Sequence, residues 1–315
     1  MISRFLPRLL AWYCRWTLRL LAVVSFAALS VTAAQASNSA AGDPMQFLIV
    51  HGDMAYCRQN NSCPDWISAE GQIMQDSSDK LQKLLKRLGG RKLPIVVNSP
   101  GGDVRAAMTM AYTIRKLGLP IAVGRTRSRL CPYAEPICPA AIAKDGSMKG
   151  EAFSSGAACF SACPLFFAGG AERVAGPFAL LGVHQITTTY SEVRVQYRTQ
   201  YETINGKRKI ISKREIGRKF VGKHDTTKLD RQQKKRLVDF LDEMGVNATL
   251  FDLMLGTKPV SIHLIAQVDA LDLRLTTELA DANDLVTAQD CKADQSIEAC
   301  ATAREVPSTS LTASP

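Results

Sequence analysis

The chain has 315 residues, of which 46% are hydrophobic and 22% charged, and its formal net charge is +10. That balance excludes a disordered polymer, which could not bury a core, and a membrane bundle, which would not carry so many charges. One substantial globular core is expected.

The first 36 residues hold Arg4, Arg8, Arg15 and Arg19, no acidic residue, an apolar run from Leu20 to Ala34 and the small-residue site Ala34-Gln35-Ala36. This is the pattern of a secretory signal peptide cleaved after about Ala36. The competing reading is an uncleaved anchor, but the run is shorter than the ~20 apolar residues of a spanning helix. The expected location is therefore periplasmic or secreted. Losing the signal removes Cys14 and four arginines, which leaves eight of nine cysteines and a net charge of +6. In an oxidising compartment Cys57/Cys63, Cys131/Cys138 and Cys291/Cys300 read as loop staples, with connectivity left open. No metal is expected, because there is no CxxC pair and no histidine at metal-site spacing from these cysteines.

Beyond a polar linker at 37–44, Phe47-Leu48-Ile49-Val50 predicts a buried strand. In the segment Ile67 to Leu88, residues Ile73, Leu81, Leu84, Leu85 and Leu88 fall at helical spacing, and Gly89-Gly90 stops the pattern. A strand at 93–97 runs into Asn98-Ser99-Pro100-Gly101-Gly102-Asp103, a helix follows over 104–117 with Asp103 as its cap, and 120–123 is a further strand. Strands alternating with helices predict an α/β fold with a mostly parallel sheet and covering helices.

Two insertions interrupt the expected domain of 37–286. Residues 125–154 lack apolar periodicity and read as a surface insertion. Residues 187–236 alternate through Val193, Val195 and Tyr197 to Asn205-Gly206 and on to Ile210-Ile211, a β-hairpin signature. They carry 15 Lys/Arg against 5 Asp/Glu. This basic hairpin reads either as a docking arm for an anionic surface or partner or as a solvated ribbon. Nucleic acid is disfavoured by export and by the absence of a recognised binding module. Helices follow at 232–243 and 248–255, and 287–315 reads as a C-terminal tail.

Three segments could carry chemistry. The Ser99-Pro100-Gly101-Gly102 turn lies between a buried strand and a helix, where backbone N–H groups can face an anion. In Gly156-Ala157-Ala158-Cys159-Phe160-Ser161-Ala162-Cys163, small residues lead into an apolar stretch, and Ser161 alone would read as a helix N-cap. His184 ends the apolar strand Leu181-Gly182-Val183. Together they supply what acyl transfer needs: a nucleophile, a base and oxyanion donors. Cys159 and Cys163 flank the serine, and a disulfide between them, or to Cys131 and Cys138, would fix its loop.

Asn98-Ser99-Pro100-Gly101-Gly102, the Ser161 segment running into Ala168-Gly169-Gly170, and Val183-His184-Gln185 resemble the Clp protease proteolytic subunit family, within the superfamily that includes crotonases and signal peptide peptidases. The resemblance covers about Phe47 to Val286 without the insertions. It implies a ClpP/crotonase-like repeated ββα superhelix and a homo-oligomer. It also implies Ser161 as nucleophile towards a peptide carbonyl, His184 as general base, the N–H groups of Gly102 and Ala162 as oxyanion hole, and no cofactor. The departure is at the acid: Ser261 stands where the family has an aspartate. Asp252 and Asp269 are the nearest substitutes in sequence, with nothing to place them. The chain is thus expected to be an exported, ATP-independent serine peptidase or hydrolase acting on peptide or protein. The alternative is a catalytically impaired binding or scaffold protein; a crotonase-type thioester enzyme is disfavoured because coenzyme A is cytosolic.

Overall fold

The computed structural model describes residues 42–293, apart from 55–56, 58–62, 133–134 and 136. The expected signal peptide lies outside the described residues, as does Cys300, and with it the Cys291/Cys300 pair. No helix among the described residues is long and apolar enough to cross a membrane.

In chain order, β1 (Gln46–Gly52) and β2 (Asp65–Glu70) pair antiparallel and lead into α1 (Ser77–Arg87), β3 (Ile95–Asn98), α2 (Val104–Leu117) and β4 (Ile121–Val123). Then come β5 (Arg125–Arg127), β6 (Ser147–Phe153), β7 (Ala158–Phe160), α3 (Cys163–Ala168), β8 (Arg173–Ala175) and β9 (Leu180–Val183). The chain continues through β10 (Thr188–Ile204), β11 (Lys207–Thr226), α4 (Arg231–Glu243), α5 (Thr249–Gly256), β12 (His263–Ile265), α6 (Gln267–Asp272) and α7 (Ala282–Ala293).

Seven strands form the main sheet in the order β5-β6-β1-β2-β3-β4-β8, in which β1–β6, β2–β3, β3–β4 and β4–β8 are parallel. The fold is therefore α/β with a mostly parallel sheet. Ile95 and Val97 enter one core with Leu81, Met110, Ile114 and Phe240, while Val96 enters the opposite core with Trp66, Leu285 and Val286. Burial on both faces explains why these strands read as continuous apolar runs.

Three sequence expectations change. Ile67 belongs to β2 and not to the helical pattern that begins at Ser77, because Trp66 to Ala69 are buried on both faces of the sheet. Residues 125–154 contribute β5 and β6, which extend the main sheet; Arg127 and Arg129 pair with Glu151 of β6. Residues 282–293 form α7, whose Leu285 and Val286 are buried, so a helix crosses the expected tail boundary at 287.

The smaller sheet, β12-β9-β7, carries the candidate site. It is tied to the main sheet where Ser99, just past β3, pairs with Cys159: the Ser99 N–H donates to Ala158 O and the Phe160 N–H to Ser99 O. β10 and β11 form a separate ribbon. Its turn is Asn205-Gly206, both with positive φ, the conformation of a type I′ hairpin.

Candidate active site

Ser161 falls in the two-residue gap between β7 and α3. Its backbone is left-handed, with φ of +60°. A side chain in that region costs about 1–2 kcal/mol, so surrounding structure must hold it there. The Ser161 N–H donates to Gly182 O of β9 at 2.9 Å, which joins the serine to the strand that ends beside His184. The Ser161 Oγ and His184 Nε2 lie 2.7 Å apart. The N-cap role that Ser161 would suggest on its own does not occur, because Ala162 occupies the cap position of α3.

The Pro-Gly-Gly turn packs against the same segment. A Cβ on Gly101 (φ +99°) would sit 2.5 Å from Phe160 O and 2.6 Å from Ser161 Cβ, and one on Gly102 (φ +137°) would overlap the Ile73 carbonyl. Gly101 donates its N–H to Ser99 Oγ, and its carbonyl accepts from Ile73 N–H. The Gly102 and Ala162 N–H groups have no acceptor among the described residues. They are the two donors expected to line an oxyanion hole: Ala162 follows the serine directly, and Gly102 follows Gly101, whose backbone packs against Ser161. Asp103 caps α2 as expected, accepting from Ala106 N–H at 2.8 Å.

One supporting element, the pair of Asn98 with Glu70, goes beyond the sequence reading. Asn98 Oδ1 accepts from Ala158 N–H of β7, and its Nδ2 donates to Glu70 Oε2, whose other oxygen accepts from Thr126 N–H. Burial pushes the Glu70 carboxyl above its usual range, opposed by these hydrogen bonds. A lone acid ending an apolar strand was the available signal.

The imidazole has one orphan. His184 Nδ1 is buried and has no hydrogen-bond partner among the described residues. Ser261 does not supply one: it is exposed, and its N–H donates to Lys258 O in a turn before β12. Asp252 and Asp269 are exposed as well. The structure therefore brings Ser161, His184, Gly102 and Ala162 together and leaves Ser261 out of the hydrogen-bonded set. An unpaired buried ring nitrogen costs about 1–3 kcal/mol and leaves the tautomer unfixed. Burial also holds the His184 pKa below its ordinary value.

Three disulfides form among the described residues: Cys57–Cys63, Cys131–Cys138 and Cys159–Cys163. The third resolves the alternatives left open for the serine's flanking cysteines.

No protein-family model and no curated protein matches the chain. Among solved structures it is similar to an alanine mutant of the 1510-N membrane-bound stomatin-specific protease, at 16% identity and a TM-score of 0.39 over 76% of this chain and 84% of that one. A second mutant of that protease, in complex with a substrate peptide, is 17% identical with a TM-score of 0.39, over 69% and 75% of the two chains. A probable enoyl-CoA hydratase from Mycobacterium tuberculosis is 10% identical with a TM-score of 0.34, over 81% and 82%.

Proposed function

We propose that this chain is an exported serine hydrolase of the ClpP/crotonase-like superfamily, an ATP-independent peptidase in which Ser161 and His184 act as a dyad. The observation that carries the reading is the 2.7 Å contact between Ser161 Oγ and His184 Nε2 beside two uncommitted backbone N–H groups. In the proposed reaction neutral His184 takes the serine proton through Nε2 as Oγ attacks a peptide carbonyl, and the Gly102 and Ala162 N–H groups stabilise the oxyanion. Each such donor lowers the barrier by about 3–4 kcal/mol. His184 then returns the proton to the leaving amine, and water repeats the sequence on the acyl-enzyme. Labelling with a fluorophosphonate tests this, since it requires an activated serine; labelling that is equal in Ser161→Ala and wild type overturns it.

The pH profile follows from the burial of His184. The base must be neutral, so the labelling rate rises as pH passes up through its pKa. Because burial lowers that pKa, the half-maximal point is expected below the usual imidazole value of about 6.5. A midpoint above that value in a pH series of labelling rates contradicts the assignment.

The unpartnered Nδ1 favours a second reading, a fold kept for binding after its acid was lost. Retention of partner binding in His184→Ala, with no peptide or ester hydrolysed by the wild type, selects it. Homo-oligomerisation belongs to the first reading and is checked by sedimentation of the intact chain.

The basic ribbon is proposed to dock an anionic surface. Along one face Arg194 lies opposite Lys219 and Arg198 opposite Arg214, while Val193–Phe220 and Tyr201–Ile210 occupy the other. Like charges directly opposite are destabilising, and an anionic partner removes that repulsion. Binding to phosphatidylglycerol-containing vesicles is expected to weaken with salt and to be lost in Arg194→Ser/Arg198→Ser/Arg214→Ser, with no loss of thermal stability. Unchanged co-sedimentation of that variant rules the proposal out.

A further inference from the structure

The Cys159–Cys163 disulfide closes a five-residue ring, Cys159-Phe160-Ser161-Ala162-Cys163, with the candidate nucleophile at its centre. Its two ends belong to different elements. Cys159 lies in β7, paired with Leu181 of β9 and bridged to Ser99, and Cys163 is the first residue of α3. Both cysteines are fully buried. Between them the backbone changes from extended at β7 to left-handed at Ser161 and right-handed helical at Ala162.

We propose that this disulfide is the positioning element of the site, holding Ser161 in its left-handed conformation with Oγ on His184 and the Ala162 N–H beside it. The inference rests on the hydrolase reading for its catalytic consequence and on geometry alone for its structural one. Besides the disulfide, the segment is held by the Phe160 N–H to Ser99 O bond at 3.0 Å, the Ser161 N–H to Gly182 O bond at 2.9 Å and the Leu165 N–H to Ala162 O bond at 3.1 Å. The first two act before the chain turns towards α3 and the third lies within the first turn of α3, so only the disulfide spans Ser161 from one side to the other. The Gly101 backbone packs close against the segment and limits the room around it, but forms no bond across it. A crosslink from i−2 to i+2 limits the ring to few conformations, and a left-handed centre is the one seen. Without it, Ser161 is free to relax to a negative φ, the region that residues with a Cβ prefer. That movement takes Oγ off His184, and a displacement of about 1 Å at reacting atoms lowers rates on the order of a hundredfold.

A merely stabilising disulfide and a positioning one give different results in Cys159→Ala/Cys163→Ala. The decisive readout is the ¹⁵N resonance of His184 Nε2, which reports its hydrogen bond whether or not the protein is active. Ser161→Ala supplies the reference for a lost bond. The double variant is expected to move Nε2 to the Ser161→Ala position and to lower the fluorophosphonate labelling rate on the order of a hundredfold. A double variant that keeps the wild-type Nε2 resonance overturns the proposal, even if its melting temperature falls. If the wild type labels no faster than Ser161→Ala but Nε2 moves in the double variant, the positioning role stands and the hydrolase reading falls. Should the alanine pair not fold, the folded wild type is treated with a trialkylphosphine. Each opened disulfide becomes two thiols as the phosphine takes its oxygen from water, and alkylation with mass spectrometry identifies the opened bridge. Nε2 is then followed against the opening of Cys159–Cys163, with an unmoved resonance again counting against the proposal.

Discussion

Ser161→Ala is expected to abolish fluorophosphonate labelling and any peptide or ester hydrolysis, and His184→Ala to reduce the labelling rate by roughly 10²- to 10⁴-fold, the span of a positioned general base. The two variants differ because the alanine at 161 removes the atom that forms the bond. The alanine at 184 leaves a serine that still faces the Gly102 and Ala162 N–H groups. The absolute wild-type rate carries a further expectation. A carboxylate on the far nitrogen of a catalytic histidine selects its tautomer, and in a triad the loss of that charge lowers the rate about 10⁴-fold. His184 Nδ1 has no such partner among the described residues, and its pKa is lowered by burial with no carboxylate to raise it. The chain should therefore work slowly beside a complete triad, with kcat and not KM carrying the deficit. A wild-type kcat in the range of complete-triad peptidases would mean that Nδ1 finds a hydrogen-bond acceptor in the working state. The imidazole ¹⁵N spectrum of the wild type decides between these, because a fixed Nδ1–H tautomer and a mixture of tautomers differ in both ring resonances.

The parts of the fold that were legible in the sequence are those with local punctuation. Helix α2 begins and ends where Asp103 and Gly118 place it, because a capping carboxylate and a residue that takes a left-handed conformation act within one turn of chain. The ribbon was legible from Asn205-Gly206 for the same reason. β2 was hidden by its position, since Ile67 and Ile73 extend the apolar spacing of α1, and the break before Ser77 is marked only by Gly71, with its positive φ, and by Asp76 at the N-cap of α1. β5 was hidden by composition: of Arg125-Thr126-Arg127 only Thr126 is buried, where its hydroxyl accepts from Trp66 Nε1–H, so the strand reads as a charged loop. The site divides along the same line. Motifs placed Ser161 and His184, and the local pairing of Cys159 with Cys163 stood among the alternatives, but the positive φ of the serine and the empty hydrogen-bond position at Nδ1 come from tertiary contacts that no single segment encodes.

Gly101→Ala should damage the site nearly as much as loss of His184, without touching a reacting atom. The new Cβ would lie 2.5 Å from Phe160 O, 2.6 Å from Ser161 Cβ and 2.9 Å from Ala162 N, so it meets the nucleophile segment at three points, two of them backbone. Backbone atoms tied into β7 and β9 cannot rotate away as a side-chain terminus would, and the disulfide ring removes the remaining freedom. Overpacking of this kind costs about 1–3 kcal/mol, and the φ of +99° adds about 1–2 kcal/mol. The strain can be released by moving either the 100–102 turn or Ser161, and both movements separate Oγ from the oxyanion donors. Labelling should fall on the order of a hundredfold, and the urea midpoint should fall with it. Gly206→Ala is the control, since its φ of +74° is also left-handed but nothing lies within 4 Å of the added Cβ. It should lose about 1 kcal/mol of local stability and no labelling rate. If Gly101→Ala labels like Gly206→Ala, close packing of the turn against Ser161 is not what sets the geometry of the site, and positive φ alone explains the glycine.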